Sequence, residues 1–508
     1  MDRVIGSRRV VLPDGMCPAS IEIRNGVIAC VGPYEPTRGE DYDDLVIIPG
    51  LVDTHVHINE PGRAEWEGFA TATRAAAAGG VTTLIEMPLN SIPATVSVEA
   101  LETKVAVAQG QCRVDVGFWG GVIPGNTGEL RPLWEAGCFG FKCFLAPSGV
   151  DEFPHVAEAD LRAAMLEIAA CGGVLLAHAE DPACLLLSSK TDSLSPRAPS
   201  KVNQSCHSEE RSDEESAFAL QKKQIPRCAR NDSGGDFHVD SWAEGLFNSP
   251  QNDSRAGFSA RQYASYLRSR PRRAEDSAIE LLIRLSAETE CRVHVVHLSS
   301  SDSLAQLAAA RADGLPLTVE TCPHYLAFEA EEIPDGATEF KCAPPIRESA
   351  NRDALWRALR GGGIDFVVSD HSPCPPAMKC KETGNFFSAW GGIASLELGF
   401  SAVWTEARQR SVGIEEVVRY MSAGPAKLAG LGHRKGSIAK GYDADLVVWE
   451  PEAGFTVDAT RLWQRHKLTP YVGRRLLGVV RKTLLRGREV DAEGPALGRT
   501  LRRHVMEV

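Results

Sequence analysis

Asp53-Thr-His55-Val-His57 is the first stretch of the chain whose residue types and spacing suggest chemistry. In an extended strand, side chains two apart point to the same face, so both imidazoles can reach one metal ion. Such a pair also arises by chance, and its weight depends on what accompanies it. Lys142 stands in Gly140-Phe-Lys142-Cys-Phe. A lysine on a buried strand is expensive unless it is paired or chemically altered. A buried lysine gives up its proton readily, and the neutral amine can take up carbon dioxide as a carbamate whose two oxygens bridge two cations. The plainer reading is a lysine that snorkels to the rim.

Three further residues fall at the ends of apolar runs. His178 closes Leu175-Leu-Ala-His178, His297 closes Val293-His294-Val-Val-His297, and Asp370 follows Phe366-Val-Val-Ser369. Each histidine alone is as well explained by a hydrogen-bonded core position, and an aspartate at Asp370 can equally cap a helix. His294 faces the other side of its strand from His297 and is read as structural. Imidazoles, a carboxylate-like bridge and one aspartate together suit a zinc-type site with an open position for water. Cys374 and Cys380 have no second pair to complete a zinc site.

These residues need elements that converge. Eight β-branched or apolar runs occupy 52–57, 81–87, 114–119, 139–144, 174–179, 293–297, 317–320 and 365–369. Segments rich in Ala, Leu, Glu and Arg separate most of them, as at 66–78 and 276–289. Eightfold strand–helix alternation predicts an α/β fold of the (β/α)8 TIM-barrel type, whose catalytic residues gather at the C-terminal strand ends. A doubly wound open sheet is the competing architecture, because alternation alone does not show closure. Both termini read differently. Ser20-Ile-Glu-Ile-Arg-Asn25-Gly26-Val-Ile alternates around a hairpin turn signal, and the tail returns to this style in Gly441-Tyr-Asp-Ala-Asp-Leu-Val-Val-Trp. The expected organisation is a small β-sandwich domain built from 1–48 and 436–508 around a barrel spanning 49–435. Residues 188–257 break the pattern with Ser208-Glu-Glu-Arg-Ser-Asp-Glu-Glu-Ser and similar polar runs, and are expected to be a mostly disordered insertion or a long surface loop.

Composition narrows the function classes. The chain has 508 residues, 43% hydrophobic and 24% charged, with a net charge of −12. No basic stripe is available to neutralise phosphates, so no nucleic-acid partner is expected. The N-terminus lacks an apolar signal core, and no stretch approaches the ~20 apolar residues that span a bilayer, so no membrane partner is expected. The 14 cysteines are scattered without a CxxC pair. That pattern suggests reduced thiols and a cytoplasmic location.

Taken together, Pro49-Gly-Leu-Val-Asp53-Thr-His55-Val-His57, Gly140-Phe-Lys142, His178-Ala-Glu, His297-Leu-Ser-Ser and Ser369-Asp370-His-Ser-Pro resemble the cyclic amidohydrolase branch of the amidohydrolase superfamily. The likeness runs over nearly the whole chain outside 188–257. It implies two divalent metals, zinc with cobalt, manganese or nickel as alternatives, bridged by a carbamate formed from carbon dioxide on Lys142. His55, His57 and Asp370 would bind one metal, and His178 and His297 the other. It also implies that Asp370 moves the water's proton to the leaving ring nitrogen. Within the branch, Ile58-Asn59-Glu60-Pro-Gly-Arg63, Glu86-Met-Pro-Leu-Asn90, Lys341-Cys-Ala-Pro-Pro-Ile-Arg347 and His466-Lys467-Leu-Thr-Pro-Tyr471 look most like the allantoinase family. Dihydroorotases usually carry an arginine two residues after the HxH to clamp a carboxylate; here Asn59 stands there. The resemblance therefore implies a small cyclic ureide as substrate, contacted at Asn90, Cys342 and Ala343, with Asn90 open to a plain turn role. Glu320-Thr-Cys322-Pro-His324 is expected along the pocket, with His324 outside the metal set. A homo-oligomer, in the form of a homotetramer, is the expected assembly. The rival readings are hydantoinase, dihydropyrimidinase or dihydroorotase activity, and an inactive scaffold; the complete set of six ligand positions argues against the last.

Overall fold

The computed structural model describes residues 2–185 and 259–503, so the expectation about 188–257 falls outside the described residues. The chain opens with β1 (Arg3–Leu12), β2 (Gly15–Arg24), β3 (Val27–Gly32), β4 (Glu40–Asp41) and β5 (Val46–Pro49). Asn25 and Gly26 both take positive φ, 51° and 82°, as the tight turn joining β2 to β3 requires.

The central strands follow as β6 (Leu51–Val56), β7 (Val81–Glu86), β8 (Asp115–Phe118), β9 (Gly120–Gly121), β10 (Phe141–Phe144), β11 (Val174–His178), β12 (Arg292–Val295), β13 (Leu317–Thr321) and β14 (Phe366–Val367). Nearly every residue in them is buried, as expected of parallel strands covered on both faces. β6, β7 and β8 pair in parallel, and β9 through β14 pair in parallel in chain order. β8 and β9 are two pieces of the third strand: Phe139 N–H donates to Phe118 O at 3.1 Å and Gly120 N–H to Gly140 O at 2.9 Å. Closure comes at the other seam, where Val56 bridges His371 in parallel and His57 N–H donates to His371 O at 2.8 Å. The sheet is therefore a closed eight-stranded barrel, and the open-sheet alternative is excluded. Helices such as Glu158–Ala170 and Arg272–Thr289 cover its outside.

The elements differ from the sequence expectation mainly at their ends. The first barrel helix is Phe69–Ala78 rather than 66–78. Residues 59–68 form a loop instead, with Gly68 at φ 101° and the Glu60 carboxylate accepting from Phe69 N–H at 2.8 Å. The eighth strand keeps only Phe366–Val367, although Val368 N–H still donates to Thr321 O at 3.1 Å and Ser369 N–H to the Asp53 carboxylate at 3.0 Å.

β15 (Leu446–Thr456), β16 (Arg475–Leu485) and β17 (Arg488–Glu489) return to the first five strands. Together they make one connected eight-stranded sheet in which β5 and β15 pair antiparallel, Ile48 opposite Val447. Its apolar core draws on both ends of the chain, with Ile5, Ile21, Ile28 and Ile47 against Leu446 and Leu484. Among the described residues, no helix is long and apolar enough to cross a membrane.

A buried charge cluster ties this sheet to the barrel floor. Lys435 Nζ lies 2.7 Å from Asp115 at the start of β8, 3.0 Å from Asp443 and 2.5 Å from Asp445. Arg486 reaches the same Asp115 carboxylate at 2.7 Å. Burial disfavours the Lys435 ammonium, but the three carboxylates outweigh it and raise its pKa. Removing one partner of a buried ion network strands the others, which costs about 3–5 kcal/mol. Lys435→Met is expected to lower the unfolding free energy by that amount, read from the denaturant midpoint, while the site at the opposite end keeps its metal content.

Candidate metal centre

The six sequence-selected donors arrive at one end of the barrel from five strands. His55 is the fifth residue of β6, and His57 lies just past its end. Lys142 is within β10, and His178 is the last residue of β11. His297 and Asp370 were expected to end strands; both instead lie beyond them, at positive φ of 41° and 44°. That backbone is uncommon for non-glycine residues and is retained where surrounding contacts over-determine it. Here it turns each side chain back toward the barrel axis.

The donors form a continuous arc. Asp370 Oδ1 is 3.3 Å from His55 Nε2 and 3.6 Å from His57 Nε2. Ligand atoms of His55, His297 and Asp370 all lie within 4.8 Å of one another. His297 Nε2 is 3.0 Å from His178 Nδ1. Lys142 is fully buried, its Nζ 4.6 Å from the centre of the Phe144 ring and without a hydrogen-bond partner among the described residues.

The outer nitrogens of three of the four rings are anchored, while His297 Nδ1 has no hydrogen-bond partner among the described residues. His55 Nδ1 lies 2.5 Å from Glu320, His57 Nδ1 lies 3.3 Å from Leu89 O, and His178 Nε2 lies 2.7 Å from Glu180. A carboxylate or carbonyl accepting from one ring nitrogen fixes the proton there and leaves the lone pair of the other nitrogen facing inward, the arrangement that metal-binding histidines use. Four inward nitrogens, one carboxylate and one unpartnered amine thus make a donor set that fits two divalent cations.

Electrostatics agree with that state. Burial pulls His178 down to about 4 in spite of Glu180, and holds His57 and His297 well below the usual imidazole value, so the rings are neutral and able to ligate. Burial also lowers Lys142 to about 8, although nearby acids oppose it, which brings the neutral amine within reach near physiological pH. Asp370 is pushed up to about 6, again by burial.

The sequence placed Glu320 along the pocket without giving it a role, and the supporting roles of Glu180 and Asp53 were missed. Glu320 is fully buried on β13. Its carboxylate meets His55 Nδ1, lies 3.0 Å from His294 Nε2 and accepts from His297 N–H at 3.3 Å. Burial would raise its pKa, but the two histidines outweigh it and hold it at about 2. His294 is structural, as expected, and serves the site through Glu320. Glu180 is held by Arg270 at 2.9 and 2.5 Å. Asp53 spans the barrel seam, accepting from His55 N–H at 3.1 Å and Ser369 N–H at 3.0 Å. A glutamate inside a buried apolar strand was the one signal available for Glu320; Glu180 and Asp53 were visible only as motif neighbours.

The expected substrate contacts flank the donors. Asn90 is buried and donates its amide to Asn59 Oδ1 at 2.9 Å, and Asn59 takes positive φ at 67°. Cys342 is buried, with its carbonyl taken by the Tyr266 hydroxyl at 2.7 Å, and Ala343 beside it is half-buried. His324 is enclosed next to Asp370, outside the six donors.

A closed barrel with two histidines on its first strand, a buried lysine on the fourth and an aspartate after the eighth has the architecture of metal-dependent amide hydrolases. Comparison with known proteins agrees. The dihydro-orotase-like family profile matches residues 44–189, and the amidohydrolase family profile matches 257–490. An allantoinase of Streptomyces avermitilis is 46% identical over 97% of this chain and 96% of its own length. An allantoinase of Arabidopsis thaliana is 39% identical over 96% of this chain and 88% of its own. The structure superposes on an L-hydantoinase (dihydropyrimidinase) from Arthrobacter aurescens with a TM-score of 0.79 and 26% identity, covering 99% and 100% of the two chains. The chain belongs to the allantoinase family of the amidohydrolases, which are binuclear metal-dependent enzymes.

Outer-shell partners of metal-bound histidines are typically worth ~10–100-fold in metal affinity or activity. Glu320→Ala releases His55 and His294 together and is expected to fall in that range. Metal loss to a chelator, followed alongside kcat, measures it.

Proposed function

We propose that the chain hydrolyses the ring amide of allantoin to allantoate through a two-metal site held by His55, His57, Lys142, His178, His297 and Asp370. The observation that supports this reading is the cluster of His55, His57, His178, His297 and Asp370 at one barrel end, with Lys142 beside it across the Phe144 ring that stacks on His178, and Asn59 where a carboxylate-clamping arginine would otherwise stand. Asn59 is buried and engaged by Asn90, so this edge of the site offers neutral amide groups to the substrate. Those suit a ureide, whereas a carboxylate substrate would lack its charge-assisted partner.

In this reading Lys142 carries a carbamate. A buried ammonium would repel two cations, whereas a carbamate on Lys142 would supply anionic oxygens to hold them. Two divalent cations, zinc with cobalt, manganese or nickel as alternatives, would supply a Lewis acid for the ring carbonyl and a water of lowered pKa. Asp370, its carboxyl pushed up to about 6, accepts the proton of the attacking water on its carboxylate. It then delivers that proton to the ring nitrogen as the carbon–nitrogen bond breaks, which releases the open-chain acid. Asp53 and the His57–His371 backbone bond keep Asp370 beside the two histidines while the proton moves. Glu320 and Glu180 keep His55 and His178 in the tautomers whose free nitrogens face inward.

The reading is tested with purified enzyme against allantoin, hydantoin, dihydrouracil and dihydroorotate. The kcat/KM for allantoin is expected to lead, and comparable values for allantoin and dihydroorotate would sink the assignment. Lys142→Ala is expected to lose metal and nearly all turnover while the barrel still folds. Lys142→Arg is expected to be as inactive, because a guanidinium cannot become anionic. Two metals per chain and near-normal turnover in Lys142→Ala would rule out the bridging role.

A further inference from the structure

Two buried lysines take no part in the chemistry above, and their surroundings are unusual. Lys379 closes a short turn, Pro376–Lys379, and is fully enclosed. Its ammonium donates to the carbonyls of Trp390 at 2.9 Å, Lys341 at 3.2 Å and Gly392. An ammonium has three N–H groups and no acceptor, so these three bonds satisfy it completely. Lys341 is buried beside it and donates to Phe387 O at 3.0 Å and to Ala389 O, with its Nζ 5.2 Å from the centre of the Tyr266 ring, and burial pulls its pKa down to about 7. Among the described residues, no carboxylate pairs with either lysine. Burial without a counter-ion disfavours the charged form of both lysines, and main-chain carbonyls supply the hydrogen bonds that compensate.

Four of the five carbonyls lie in one segment, residues 387–392. The segment is further laced down by Trp390 N–H to Met378 O at 2.7 Å and Gly392 N–H to Lys341 O at 2.9 Å. It packs against two stretches that flank the donors, the loop after His57 and residues 341–343. The Trp390 ring meets the edge of Trp66, from the loop after His57, at 4.8 Å. Gly391 lies against Ala343. Immediately beyond, Ile393 bridges His371, and Ser395 and Leu396 donate their N–H groups to His371 Nδ1 at 3.1 and 3.2 Å. The segment thus runs from the lysine-held carbonyls past Ala343 to the backbone next to Asp370.

We propose that Lys379, seconded by Lys341, is a positioning residue for substrate: the N–H donors of the two amino groups fix residues 387–392 against Cys342 and Ala343, and that wall sets how tightly the cyclic ureide is held. The inference rests on Cys342 and Ala343 as substrate contacts. The metal centre is anchored separately, through Glu320, Glu180 and Asp53, so the wall governs binding and leaves metal affinity alone. Lysine is specific to this task, because a planar guanidinium cannot direct three donors at carbonyls on different sides.

The test compares wild type, Lys379→Met and Lys341→Met as purified holoenzymes, with metal content, KM and kcat measured on allantoin. Methionine keeps the apolar stem and removes the donors. Lys379→Met is expected to raise KM by at least about tenfold, with kcat changed by less than about threefold and two metals per chain retained, the pattern of lost substrate binding. Lys341→Met is expected to move the same way by a smaller factor, and it decides the question if Lys379→Met is insoluble. An unchanged KM with only a lower unfolding midpoint would make the lysines mere scaffolding and overturn the proposal. Metal loss with a fallen kcat would overturn it too, because the wall would then act on the metal centre. A wild type idle on allantoin but active on another ring amide would overturn the substrate reading alone, and the same KM comparison is then read on that substrate.

Discussion

The hydrogen bond from His57 N–H to the His371 carbonyl joins the first and last strands of the barrel, and the site exists only because that seam is closed. It brings residues more than three hundred positions apart into one backbone ladder and puts Asp370 against His55 and His57. The Asp53 carboxylate reinforces the seam by accepting one N–H from each side, at His55 and Ser369. Burial pushes Asp53 up to about 6, yet it keeps those main-chain donors. Structural closure and catalytic geometry therefore depend on the same few bonds.

Beyond the seam, the barrel mouth manages charge it cannot expose. Cation-binding groups are concentrated on the axis, and anionic partners stand one layer out, as Glu320 behind His55 and Glu180 behind His178. Each outer carboxylate is itself shared, Glu320 with His294 and Glu180 with Arg270. Isolated buried carboxylates would take up protons; pairing keeps these two ionised and able to orient a neutral imidazole. Lys142 has no hydrogen-bond partner among the described residues, Asp370 faces only the His55 and His57 rings, and burial moves both toward the neutral form. The paired carboxylates hold the geometry, and Asp370 and Lys142 face the space between the rings.

The far end of the barrel uses charge differently. Lys435 sits among Asp115, Asp443 and Asp445, where a cation is already supplied by the chain itself. Three carboxylates there need no metal, which separates this acidic group from the mouth despite a similar list of residue types.

The sequence determined the alternation of eight buried runs with helices, the β-rich termini and which six side chains were candidates for the metal centre. Those properties are local: a period of two puts His55 and His57 on one face, and buried strands read as apolar runs wherever they pair. Only the tertiary structure decided that the sheet closes, because closure is a contact between Val56 and His371 that no local pattern encodes. It also decided the positive-φ turns that aim His297 and Asp370 inward, beyond the strands expected to end on them. The anchoring role of Glu320 and the Lys379 cage were illegible for the same reason: a buried charge looks like any other charge in the sequence until its partners arrive from distant strands and loops.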